Sequence, residues 1–177
     1  MSQSTMPAYI TSLIRHFEDL RAAHTTAPQV EEDKEAHFGR AVELLTPVAR
    51  QALNEMNTSL LCDTGQLTES GLRRTSDGGL NASWTLSWPE QRAAGIEPIV
   101  LQAYFGAAFH HPHLRGTTVR DWPLNVFGEE DAAAQLSILR AIASSDLHNL
   151  VFLADYRIVP VVTAKCAGPR DRGARAS

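Results

Sequence analysis

The stretch LNASWTLSW, residues 80 to 88, alternates apolar and polar side chains without a break. Its apolar members are Leu80, Ala82, Trp84, Leu86 and Trp88. Successive side chains on a strand point to opposite faces, so this pattern predicts a strand with one face in the core. Proline lacks a backbone N–H group, so we expect the strand to end at the Trp88-Pro89 step.

Further strand signals flank this stretch on both sides. EPIVLQAYFG, residues 97 to 106, is rich in β-branched and aromatic residues and predicts a second strand. Asp77-Gly78-Gly79, just before the first strand, is typical of a hairpin turn. A short strand is also expected over Leu124 to Phe127. These signals together indicate an antiparallel sheet.

Helices are predicted ahead of the sheet. Apolar residues at three- and four-residue steps predict a helix from about 7 to 24, and they are Ile10, Leu13, Ile14, Phe17 and Leu20. A second stripe predicts another helix and consists of Phe38, Val42, Leu45, Ala49, Leu53 and Met56. Pro47 lies inside this stripe and Thr46 could cap a new helix before it, so we expect a kink or a break near residue 46.

One more helix is predicted after the strands, over about 129 to 145. Its first turn is acidic, which suits the helix dipole, and its apolar face consists of Leu136, Leu139, Ile142 and Ala143. The following NLVFLADYRIVPVV, residues 149 to 162, favours strands by its composition, although it could continue the helix. The order predicts an α+β fold: N-terminal helices, then a mostly antiparallel sheet with the 129–145 helix packed on one face.

Length and charge limit the classes of protein. A chain of 177 residues suits one domain, which we assign to 7–163, between a flexible 1–6 segment and an Arg-rich 164–177 tail expected to be disordered. The net charge of -4 and the lack of a concentrated basic face argue against a nucleic-acid partner. Without a signal peptide or a run of about 18 apolar residues, we expect no membrane association and a cytoplasmic location. Cys62 and Cys166 are then expected to be free thiols.

The loop FHHPHLRG, residues 109 to 116, holds three of the seven histidines. Pro112 favours extended backbone at His111, so His111 and His113 should share a face and His110 should point away. Two imidazoles on one face could bind a divalent metal, zinc or iron, if a third ligand joins them. His148 is the histidine that we place with the pair, and Asp121 and Asp146 are the carboxylate candidates.

Asp146 raises a separate question. If the predicted helix continued past residue 145, Asp146 would point at the core, where a buried carboxylate needs a partner. We expect the helix to end at Ser144. The alternative is that Asp146 pairs with His148 or with an arginine.

Other roles for the loop stay open at this point. One histidine could act as a general acid or base without a metal, because imidazole titrates near neutral pH. The cluster could also serve structure alone. Arg115 is a candidate to orient an anionic group, and Trp122 could cover a pocket. Trp88 is a candidate ligand contact, although core packing is the commoner fate of a tryptophan on an alternating strand.

The sequence therefore favours a small cytoplasmic enzyme that acts on a small, anionic or aromatic organic molecule. Its candidate catalytic residues are His111, His113, His148 and Asp121. The rival hypothesis is a non-catalytic binding or accessory protein, with the Trp/Pro/Arg-rich loop as its interaction surface, including one between the subunits of a homodimer. The reaction class is left open by the sequence.

Overall fold

A six-stranded antiparallel sheet with helices against one face makes up the fold. The computed structural model describes residues 6–23, 31–109, 111–163 and 166. The strands are β1 (Gln66–Glu69), β2 (Arg73–Arg74), β3 (Leu80–Ser87), β4 (Ile99–Phe105), β5 (His113–Arg115) and β6 (Trp122–Pro123). They are ordered β1-β3-β4-β5-β6, and β2 also pairs with β3. The predicted α+β class is confirmed.

Long helices lie before and after the strands, and one short helix lies between β3 and β4. They are α1 (Ala8–Ala23), α2 (Glu31–Leu60), α3 (Pro89–Ala93), α4 (Glu129–Ala134) and α5 (Leu136–Leu153). Two 3₁₀ turns follow, at Tyr156–Ile158 and Pro160–Thr163. Helices α2 and α5 pack against each other and against β3 and β4, so the core lies between these two helices and the sheet.

The alternation of β3 and β4 sets the two faces of the sheet. The apolar residues predicted for β3 are all buried, as are Ile99, Leu101, Ala103 and Phe105 of β4. The intervening Gln102 and Tyr104 point away from the core, opposite Arg115 and His113 of β5. We call the face that carries Gln102, Tyr104, His113 and Arg115 the outer face. It is the face that positions the candidate site.

Helix α2 confirms the second apolar stripe but not a break. All six predicted stripe residues are buried, and the helix runs through Pro47 without interruption. The Thr46 hydroxyl donates to the carbonyl oxygen of Val42 at 2.8 Å instead of capping a new helix. An internal proline costs a helix about 3 kcal/mol, which the packing of this long apolar face outweighs.

The C-terminal half departs from two predictions. Helix α5 continues to Leu153, so the end at Ser144 and the strands over 149–162 are wrong. Leu147 and Leu150 are buried at helical spacing from Ile142 and Ala143, and this packing decides between helix and strand. The strand expected over Leu124 to Phe127 does not form either; the sheet instead takes in β5 and β6.

Helix α1 forms where the sequence predicts it, yet it adds little to the core. None of its described side chains belongs to the buried core. Tyr9, Ile14 and Phe17 are 48%, 40% and 59% exposed. It contacts β6, which lies at the edge of the sheet.

Cys62 and Cys166 form a disulfide with a Cα–Cα distance of 5.2 Å, so the expectation of free thiols is wrong. The predictions for His110, for residues 1–5 and for the rest of the 164–177 tail fall outside the described residues. Among the described helices, none is long and apolar enough to cross a membrane.

Candidate metal centre

Three histidines from distant parts of the chain meet at the edge of the outer face. His16 comes from α1, His111 from the turn before β5, and His113 is the first residue of β5. One ligand nitrogen from each lies within 4.8 Å of the other two. Over residues 6–23, 31–109, 111–163 and 166, no other three histidine, cysteine or acidic residues come this close. We call these residues the three-histidine cluster.

The rings of the cluster lie close together, and one pair of nitrogens has a spacing that suits a shared ion. The Nε2 atoms of His111 and His113 are 3.1 Å apart. The His16 ring lies 3.9 Å from the His111 ring, centroid to centroid, and nearly perpendicular to it. Two nitrogen ligands of a tetrahedral zinc, each at 2.0–2.1 Å, stand about 3.3 Å apart. The His111–His113 spacing is close to that value.

The local sequence explains why His111 and His113 reach the same place. Pro112 separates them, and its carbonyl oxygen accepts a hydrogen bond from the Leu124 backbone N–H at 3.0 Å. His113 pairs with Tyr104 on one side and Pro123 on the other, so both sides of β5 are held. The shared placement of His111 and His113 follows the prediction from Pro112.

Aromatic rings and one carboxylate surround His113. The Tyr104 ring stacks on His113 with centroids 5.6 Å apart, and Phe109 lies 5.2 Å away. Burial lowers the pKa of His113, the Asp121 carboxylate partly opposes this, and His16 adds to the lowering. The neutral imidazole is therefore favoured, and that form binds a metal or accepts a proton.

Asp121 is not a member of the cluster, but a hydrogen bond from Tyr104 holds it beside the cluster. The Tyr104 hydroxyl donates to Asp121 Oδ1 at 2.7 Å, and Asp121 itself is exposed. Burial, followed by this hydrogen bond, raises the pKa of Tyr104, so its hydroxyl stays protonated at neutral pH. Tyr104, which the sequence did not single out, thereby links Asp121 to the ring of His113.

Arg115 follows His113 by two positions and shares the outer face with it. Its guanidinium carbon lies 4.4 Å from the centroid of the Tyr104 ring, and its Nε donates to Gln102 Oε1. Within the described chain no carboxylate forms an ion pair with Arg115. The side chain is thus held in place with its charge available to an anion.

His148, which the sequence placed with His111 and His113, lies outside the three-histidine cluster. It is exposed on α5, 3.3 Å from the side-chain oxygen of its neighbour Asn149 and against the ring of Phe152. His16, rather than His148, is the third histidine of the cluster. The sequence signal for His16 is its helical spacing from two residues of the α1 stripe, because it comes three residues after Leu13 and four before Leu20.

The two tryptophans predicted to contact a ligand face the core instead. Trp88 is 0% exposed, and its Nε1 donates to the Ile158 carbonyl oxygen at 2.6 Å. Trp122 pairs with the buried Leu114 and packs partly buried against the core. Strand alternation explains this outcome: both rings lie on the side opposite to His113 and Arg115.

Asp146 is buried, as a continued helix requires, and it finds its partners in the loop between β5 and β6. It accepts hydrogen bonds from the backbone N–H groups of Thr117 and Thr118, both at 2.7 Å, and of Val119 at 3.2 Å. The Thr118 hydroxyl donates to it at 2.6 Å. Asp146 thus fixes the loop that leads from Arg115 to Asp121, and within the part of the chain that the structure describes it pairs with neither His148 nor an arginine.

No family model, no curated protein sequence and no solved structure matches this chain.

Proposed function

We propose that this protein is a small metal-dependent enzyme that acts on a small, anionic or aromatic organic molecule. A divalent transition metal would be held by His16, His111 and His113. The observation that supports this is the approach of one ligand nitrogen from each residue to within 4.8 Å of the others. Catalytic zinc sites commonly use three protein ligands and keep a fourth position for water or substrate.

A donor set of three imidazoles favours zinc over iron, magnesium and calcium. Imidazole suits zinc, copper and nickel, whereas non-haem iron(II) sites use two histidines and a carboxylate. Magnesium and calcium prefer oxygen ligands. Metal ligation needs neutral imidazoles, and the lowered pKa of His113 supplies one at neutral pH.

Arg115 and Tyr104 support the substrate class. Arg115 is oriented by Gln102 and Tyr104, so a bound carboxylate would meet a guanidinium that is already in place. The outer face around His113 also presents aromatic surface from Tyr104 and Phe109. A small molecule with a negative charge and a flat ring would match both features.

A metal-free acid–base role for His113 is the second candidate. It is favoured by the 3.1 Å separation of the His111 and His113 Nε2 atoms, which also fits a hydrogen bond between the two rings. His111 would then orient His113, and the lowered pKa would keep His113 ready to accept a proton. His16 has no necessary part in this mechanism, whereas metal binding requires it.

A non-catalytic role would use the loop around Arg115 to bind a partner or a second copy of the chain. We propose a cytoplasmic location, against which the Cys62–Cys166 disulfide counts, because such bonds are rare in reducing compartments. Counting free thiols in protein quenched directly from cells tests the location.

Metal titration of the untagged full chain tests the proposed function. We expect one zinc ion per chain, and at least about 100-fold weaker binding in H16A, H111A and H113A, because loss of an outer-shell partner alone costs about 10–100-fold. H148A is the matched control, since His148 is an exposed histidine outside the cluster, and it should bind zinc like the wild type. Equal zinc binding by H16A and wild type would remove His16 from the metal centre, whereas no zinc binding by the wild type would favour the acid–base candidate.

A further inference from the structure

Besides the three-histidine cluster, the described contacts between the N-terminal helix and the rest of the fold lie at the surface and at the sheet edge. Arg15 forms an ion pair with Asp131 at 2.8 Å and lies 5.5 Å from the centroid of the Phe127 ring. Helix α1 also contacts β6, the short strand at the sheet edge. Surface ion pairs contribute little, typically below about 1 kcal/mol. Helix α1 is therefore weakly held by these contacts alone.

The apolar stripe of α1 does not compensate for this weak attachment. Tyr9, Ile14 and Phe17 remain substantially exposed, and the described α1 side chains add nothing to the buried core. A helix of 16 residues is also close to the length, about 12–15 residues, below which isolated helices are marginal in water. If α1 left the sheet, it would lose much of its helical structure as well.

His16 is the residue that connects α1 to the candidate metal centre. It lies next to Arg15, and its ring lies 3.9 Å from His111 and 6.1 Å from His113. His111 and His113 belong to the turn before β5 and to β5 itself. A metal bound by all three residues would therefore bridge α1 and the sheet.

We infer that zinc binding docks helix α1 onto the sheet, so that metal occupancy and the position of α1 are coupled. This inference rests on the proposed function, because it takes the three-histidine cluster as the metal site. Docked α1 supplies the third ligand and raises the affinity for zinc. By thermodynamic linkage, bound zinc raises the ratio of docked to released α1 by the same factor by which docking raises the zinc affinity.

The coupling between zinc binding and α1 docking would regulate the three-histidine cluster itself. With α1 docked, His16 completes the ligand set and α1 lies beside β6. With α1 released, His111 and His113 would be left as a two-histidine site beside an uncovered β6. Zinc concentration would thus decide whether the complete site exists, which gives α1 the role of a metal-dependent cover.

Amide hydrogen exchange of the untagged full chain, without metal and at a free zinc concentration of about 100 times the dissociation constant, tests the inference. We expect zinc to slow exchange of the α1 amides at least about tenfold, because such an excess can favour the docked state by up to about 100-fold. Exchange in α2, β3 and β4 should not change. Magnesium, which prefers oxygen ligands, should leave α1 unaffected.

Two variants of this experiment separate the possible failures. H16Q should lose the zinc-dependent protection of α1 and keep wild-type exchange in α2, β3 and β4, whereas H148A should retain the effect. One zinc bound per wild-type chain with unchanged α1 exchange, or full protection in H16Q, would overturn the inference and leave the metal site standing. A zinc content of zero, measured on the same samples, would overturn both.

Discussion

Asp146 shows what a single residue contributes to the candidate site. It is 0% exposed, and its carboxylate accepts three backbone N–H groups and the Thr118 hydroxyl. Helical periodicity indicates that position 146 faces the core, but the partners lie 27 to 29 residues away in sequence, in a loop whose path periodicity does not describe. The sequence alone therefore does not show which groups would satisfy a buried Asp146, and it favours a helix that ends at Ser144.

Replacing Asp146 should destabilise the whole fold. D146A leaves the N–H groups of Thr117, Thr118 and Val119 without their acceptor, and we expect a loss of about 3 kcal/mol or more in the free energy of unfolding. D146N keeps the volume and one acceptor oxygen, so its loss should be smaller. Urea unfolding measures both, and a D146A value within about 0.5 kcal/mol of wild type would contradict this account of the loop.

Arg115 carries the prediction about the substrate. Benzoate, an anion with a flat ring, is a suitable probe for the zinc-loaded protein. R115Q removes the charged donor and should weaken benzoate binding by about 10- to 100-fold, which corresponds to one hydrogen bond to a charged group. Calorimetric titration measures this change. The matched control is R140Q, because Arg140 is already paired with Glu55, and equal weakening in both variants would remove Arg115 from the proposal.

At the scale of secondary-structure elements, a bidentate ion pair joins helices α2 and α5. Arg140 of α5 donates to Glu55 of α2 through Nε at 2.7 Å and through Nη2 at 2.6 Å. These hydrogen bonds, with a further one from Gln51, lower the pKa of Glu55 from 4.5 to about 2. The folded pKa lies below the unfolded one, so this contribution is present above about pH 4.5 and is lost as the pH falls toward 2.

Glu55 therefore gives a pH-dependent prediction. E55Q should be less stable than wild type at pH 7, and the difference should shrink between about pH 4.5 and pH 2, where the wild-type carboxylate becomes protonated. Thermal unfolding followed by circular dichroism across this range measures the effect. Other carboxylates titrate equally in both proteins and cancel in the comparison. A difference that stays constant with pH would contradict the assignment.

Some helices and strands could be predicted from the sequence and others could not, because local patterns record burial but not tertiary packing. Strand β3 was predictable because its alternation shows directly which residues are buried. The end of α5 was not, because Val151 and Phe152 favour strands locally while Leu147 and Leu150 pack as a helix. Helix α1 was predicted as an element, but pairing His16 with His111 and His113 depends on tertiary packing that no local pattern records.

A disulfide ties the C-terminal part of the whole molecule to the end of α2. Cys62 and Cys166 are separated by 104 residues, so the bond closes most of the chain, including the entire sheet, into one loop. A long loop loses much conformational freedom in the unfolded state when it is cross-linked. The fold should therefore depend on the redox state of this pair.

Reduction of this disulfide should lower the melting temperature. We expect a loss of roughly 2–4 kcal/mol, which for a chain of this size corresponds to roughly 5–15 °C. Calorimetry with and without a reductant measures it, and C62S, which has no bond to reduce, should melt near the reduced wild type and respond little to reductant. Identical melting of oxidised and reduced wild type would contradict a stabilising role for the bond.

The three-histidine cluster is the central claim about the whole molecule, because it joins α1, β5 and the turn between β4 and β5 in one site. X-ray absorption at the zinc edge of the loaded, untagged full chain tests it most directly. We predict three imidazole nitrogens at about 2.0–2.1 Å with one further light ligand, and one imidazole fewer in H16Q. A zinc coordinated by fewer than three imidazoles in the wild type, or a spectrum unchanged in H16Q, would contradict the claim.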